Sequence, residues 1–155
     1  MSFQIHALSR AQFEPLFAMT DSELTNVGAG RVIADASPCY PCRISLADAE
    51  IGEAMILMNY EHQPGDSPYQ ATHAIFVREN AEQAFPDVGA VPESIKTRLI
   101  SIRAFDDKHY MVDADVVDGI RLSESIPLML EDPKVAYLHL HNARPGCFAA
   151  RVTRA

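Results

Sequence analysis

Three scarcities narrow this chain before any motif is read. Its longest uninterrupted apolar stretch, Ala54 to Met58, falls far short of the ~20 residues that a membrane-spanning helix needs, so no membrane association is expected. Cysteine is sparse and odd in number, with only Cys39, Cys42 and Cys147, which speaks against a disulfide framework. No cationic start leads into an apolar segment, so no secretory leader is expected and the cytoplasm is the expected location. Basic residues are also few: 13 Lys and Arg against 21 Asp and Glu leave a formal charge of −8. Binding to a phosphate backbone needs a basic footprint, so nucleic acid is not an expected partner. The chain also lacks a glycine-rich phosphate loop, a GxSxG elbow and an HExxH pair, which leaves nucleotide hydrolysis, serine-hydrolase and zincin chemistry without positive support. It contains no internal repeat and no low-complexity tract.

What is present fits an ordinary globular domain spanning residues 1–155. The chain is 48% apolar and 22% charged, and at this length it should bury about two-thirds of its unfolded surface. Asp106, Asp107, Asp113, Asp115 and Asp118 crowd one segment and read as solvated turn residues. Asp113-Ala114-Asp115 lacks the further oxygen ligands and the glycine of a calcium loop.

The hydrophobic spacing predicts many short elements. Phe3, Ile5 and Ala7 alternate as an opening strand, and Ser9 with Gln12 offers a capping box for a helix that Pro15 should break or kink. A second box, Thr20 with Glu23, starts a short helix through Val27, with Gly28 as its left-handed cap and Arg31 to Ala34 as the next strand. Further strands are expected at Ile44 and Leu46, from Ala54 to Tyr60, and from Thr72 to Arg78. Pro92 opens a brief helix, Ile100 to Ala104 and Tyr110 to Val117 form a hairpin, and Leu122, Ile126 and Leu130 mark a helix closed before Pro133. Val135 to His141 and Cys147 to Thr153 finish the chain as two strands. Strands joined by short loops imply an α+β fold, a mainly antiparallel mixed sheet of about seven to nine strands with short helices packed on it.

The densest chemistry lies at the end of the chain. In His139-Leu140-His141, residues two apart on a strand project from one face, close enough to share a metal. If Asn142 to Gly146 are all loop, His141 faces Cys147 and the three groups share that face; a four-residue loop pairs Asn142 with Cys147 and turns the thiol away. In the plainer alternative, Tyr137, His139 and His141 line a partly solvated face with each imidazole bonded to a carbonyl. His62 and His73 flank the Gln63 to Pro68 loop and are candidate bases or metal ligands, with Glu61 pointing away from His62. Cys39-Tyr40-Pro41-Cys42 has redox or zinc spacing, but no long helix starts at the first cysteine and no second such pair completes a zinc site. Arg43, Arg103 and Arg144 lie on or beside strands. Arg103 is read as an internal ion pair with Asp113 or Asp115, or else an anion clamp; Arg144, beside Asn142, is the better candidate to hold a carboxylate or phosphate.

Several stretches together resemble a bacterial family known as domain of unknown function 1203. They are Pro41-Cys42-Arg43-Ile44-Ser45-Leu46, Asn59-Tyr60-Glu61-His62-Gln63-Pro64, His73-Ala74-Ile75-Phe76-Val77-Arg78, Ser101-Ile102-Arg103-Ala104-Phe105-Asp106, Met111 to Val117, and Tyr137 to Cys147. The resemblance implies a free-standing bacterial single-domain protein and brings no assigned activity. The residues themselves suggest a small-molecule enzyme or metalloprotein. Its polar pocket is expected from His62, His73, His139 and His141, with a divalent metal as candidate cofactor and Arg144, Asn142, Arg43 and Arg103 orienting a small anionic molecule. Without a metal, a histidine would act as base, with Cys147 as nucleophile if the five-residue loop puts it on the histidine face. The alternatives are a non-catalytic domain that binds an anionic metabolite or partner through the same residues, and purely structural polar clusters.

Overall fold

A computed structural model describes residues 1–155. The elements run β1 (Phe3–His6), α1 (Glu14–Phe17), α2 (Asp21–Asn26), β2 (Gly30–Ile33), β3 (Ala54–Gln63), β4 (Ala71–Arg78), α3 (Glu93–Lys96), β5 (Leu99–Phe105), β6 (Met111–Asp118), α4 (Leu122–Leu130), β7 (Tyr137–Asn142) and β8 (Phe148–Arg154). The fold is α+β, and its strands form two antiparallel sheets rather than one: β1-β8-β7-β5-β6 and β2-β3-β4. Each sheet has its own core. Ile100, Ile102, Leu138, Leu140 and Val152 of the larger sheet pack on Leu122, Ile126 and Leu130 of α4, whose four-residue spacing lays all three on one face. Met55, Ile56, Ile75 and Val77 of the smaller sheet pack with Phe13, which precedes α1, and Leu24 of α2. Each fully buried side chain of this kind contributes about 1.5–3 kcal/mol.

Local signals explain the boundaries. The Thr20–Glu23 capping box forms in full at the start of α2, and Gly28 follows at φ 74°, a conformation open to glycine without a Cβ penalty. The box expected at Ser9 and Gln12 does not form. That segment makes a short 3-10 turn at Arg10–Gln12, and Pro15 falls in the first turn of α1, where its missing N–H removes no helical bond. Ile44 and Leu46 are not in a strand. Leu46 takes a positive φ and its N–H donates to the Cys42 carbonyl, so the segment turns tightly, with Ile44 in the smaller core and Leu46 in the larger. The alternation there reports burial in two cores, not a ladder.

Candidate functional site

The larger sheet packs one face on α4 and turns a polar face toward the end of β3. On β7, Leu138 and Leu140 enter the core while Tyr137, His139 and His141 occupy the opposite face, and all six residues of the strand are buried. The plainer expectation of a partly solvated face is therefore not met. β3 supplies the third imidazole through a bulge: Glu61 pairs with Thr72 and Gln63 with Ala71, which leaves His62 as the extra residue. Its ring lies 4.8 Å from that of His141 and 5.9 Å from that of His139, centroid to centroid, and stacks on Phe148 at 5.4 Å. Glu61 points away, exposed, and accepts from the Gln70 amide.

The three rings converge. One nitrogen from each of His62, His139 and His141 lies within 4.8 Å of the others. In the same residues, His62 Nδ1, His139 Nδ1 and His141 Nε2 are sealed from solvent with no hydrogen-bond partner in the protein. Such groups cost about 1–3 kcal/mol each when left unmatched, so three of them on converging rings point to a shared ligand. His141 is set up for this: its Nδ1–H donates to the Gly146 carbonyl at 2.9 Å, leaving a lone pair on Nε2. Gly146 reaches that position at φ 81°.

Burial sets the charge state. Desolvation, then the neighbouring histidines, pulls His139 down to about 3. Desolvation pulls His141 down to about 3 as well, partly opposed by the Gly146 carbonyl. His62 falls to about 4, from desolvation, then Arg103 and His73. All three are neutral at pH 7, the form that coordinates metal. No carboxylate joins the group, but two cations flank it, since His139 stands opposite Arg103 of β5 and Arg151 of β8. Neither arginine has a carboxylate within 4.0 Å. The expected ion pair of Arg103 with Asp113 or Asp115 is absent because the register sets Arg103 opposite Ala114, which puts both acids on the far face.

The remaining candidates lie elsewhere. Asn142 N–H bonds to the Cys147 carbonyl, so the last turn is the four-residue one, Ala143 to Gly146, and the thiol leaves the histidine face. Ala149 is then extra, and Phe148 stands opposite His141. Cys147 instead accepts from Arg43 Nη2 at 3.0 Å and Asn142 Nδ2 at 3.4 Å. Arg43, His73, Asn142, Arg144 and Cys147 all line a separate cleft. His73 joins neither the triad nor its ligand nitrogens, although it is among the neighbours that lower His62 and His141. The cysteines are free; Cys42 is buried and accepts the N–H of Arg78 at 3.1 Å, while Cys39 is exposed with no helix beginning at it. Sequence reasoning missed Gln63 and His109, which meet the Tyr137 hydroxyl at 2.8 Å each, and Arg151, whose guanidinium lies 4.4 Å over the Tyr137 ring. Only Tyr137 carried a signal, its place in the alternation with His139 and His141.

Residues 39–154 match the pattern of a family described as proteins of unknown function, DUF1203. The chain belongs to the DUF1203 family. No curated protein and no solved structure matches it. The DUF1203 match contains β3 to β8, and with them all three histidines and both flanking arginines; β1, α1, α2 and β2 precede it. No helix is long and apolar enough to cross a membrane.

Proposed function

We propose that this DUF1203 protein is a small-molecule enzyme built on a three-histidine metal centre, with His62, His139 and His141 as ligands. The observation that carries the reading is the convergence of three neutral imidazoles, each of which holds a buried ring nitrogen with no other partner. Three imidazoles suit zinc and neighbouring first-row divalent ions, and three protein ligands leave a fourth position open, the pattern of catalytic zinc. Ligand nitrogens around a tetrahedral ion with ~2.0 Å bonds stand about 3.3 Å apart, so small side-chain rotations from the present spacing close the site. Bound there, the ion would act as a Lewis acid and supply an activated water, which favours hydrolysis or lyase chemistry. A dication held by neutral ligands beside Arg103 and Arg151 favours an anionic fourth ligand, so an anionic substrate fits the charge of the site. Arg103, half-buried and bonded only to Ser101 Oγ at 3.4 Å, is the cation placed to orient it.

The test is elemental analysis by plasma mass spectrometry on untagged protein purified without chelator. Near one first-row metal per chain is expected, with loss in His62→Ala, whose bulged, half-buried position makes it the variant least damaging to the fold. A wild-type chain that keeps its native circular dichroism yet stays metal-free after zinc addition and dialysis would overturn the reading.

A further inference from the structure

A cleft of about 880 Å³ adjoins the histidine group without sharing a residue with it. Its charge is opposite to that of the chain. Arg43, Lys96, Arg98 and Arg144 line it against a single acid, Asp118, in a protein of net charge −8. Arg98 is neutralised by two contacts to Asp48, and Lys96 has only a 3.9 Å contact to Glu93. Arg144 is exposed and Arg43 is 2% exposed, and neither has a carboxylate partner. Arg43 is the stronger sign. Its guanidinium donates to the Phe148 carbonyl at 2.7 Å, the Pro41 carbonyl at 2.6 Å and Cys147 Sγ at 3.0 Å. Three of the five N–H groups of a guanidinium are thus engaged, which leaves two. A buried cation with spare donors and no carboxylate partner is costly unless an anion approaches it, and this one is on the wall of a cleft. Leu57, Phe76, Leu99 and Ile120 line the same space with apolar surface.

We propose that this cleft binds a small organic anion, a carboxylate or phosphate ester with an apolar body, drawn in by Arg144 and Arg43. The site goes beyond the metal reading and stands without it. It also adjoins that centre through one loop: Arg144 of the turn lines the cleft, and Gly146 of the same turn holds His141.

Cys39 and Cys147 also line the cleft and serve as native reporters. Iodoacetate and iodoacetamide both alkylate a thiolate, forming a C–S bond and expelling iodide while the thiol proton goes to buffer. They differ in charge, so the ratio of the two products at one thiol cancels that thiol's own protonation and reads the local preference for an anion. Equimolar reagents are added at low salt, with N-acetylcysteine amide as the neutral reference and peptide mass spectrometry as the readout. The carboxymethyl to carbamidomethyl ratio at the cleft thiols should exceed the reference by about threefold to tenfold and fall toward it in Arg144→Ala and in high salt. Cys39, being exposed, gives a signal even where Cys147 reacts slowly. Hexanoate or inorganic phosphate should protect both thiols while hexanamide does not; the better protector separates a carboxylate ligand from a phosphate ester. A wild-type ratio equal to the reference, a ratio unmoved by Arg144→Ala, or equal protection by hexanamide would each overturn the proposal. Metal content measured on the same samples separates the two readings, since Arg144→Ala leaves the histidine ligands intact.

Discussion

His139 and His141 are the residues whose energetics are most exposed to solution conditions. Each has a native pKa of about 3, against 6.5 in an unfolded chain, because burial penalises the imidazolium. Between those values the unfolded state binds more protons than the native one, so stability rises with pH through this window and is lost as pH falls below 6.5. In metal-free protein, urea midpoints measured from pH 7 down to pH 4 should fall, with a slope approaching about 1.4 kcal/mol per pH unit for each of the two histidines. His139→Phe should flatten that slope; an unchanged slope would place the acid sensitivity elsewhere. The pairing of His139 with His141 was legible in the sequence, because strand period alone puts them on one face. His62 was legible only as a candidate: its entry into the group depends on a bulge that no residue between Glu61 and Gln63 announces.

At the scale of elements, turn length decided more than propensity. The four-residue turn after β7 sends Cys147 to Arg43 and Asn142 instead of to the histidines, and the extra Ala149 sets Phe148 beside them. Both loop lengths were compatible with the same residues, since the competing turns differ by one residue of slack that a bulge absorbs. Gly119 shows how tightly α3 and the 3-10 turn Gly119–Arg121 before α4 are joined. A Cβ there would overlap the Ile95 carbonyl oxygen and come within 2.7 Å of that of Lys96 and 2.8 Å of that of Arg98. These are backbone atoms that cannot rotate away, so Gly119→Ala should cost at least about 2 kcal/mol, read as a lower urea midpoint with unchanged slope. A cost under half of that would mean that α3 slides freely against this turn. Periodicity found α4, because three apolar residues at four-residue spacing suffice to bury one helical face.

For the whole molecule, a metal that binds the native triad and not the unfolded chain must raise thermal stability by mass action. Zinc at about a hundred times its dissociation constant should add ~2.7 kcal/mol, or roughly 5–10 °C in Tm for a chain of this size. His141→Ala should abolish the increment; an equal shift in that variant would assign zinc to another site. The α+β class, the abundance of antiparallel pairs and the His139–His141 pair follow from the sequence by itself, because strand alternation, helix periodicity and capping are local. Only the tertiary structure decided that the strands split into two sheets, that His62 meets the pair across them, and that Arg43, Arg144 and Cys147 gather in a different cleft. Those outcomes hang on register and on contacts between residues far apart in the chain, where a shift of one residue exchanges the faces of a strand and no local pattern records the choice.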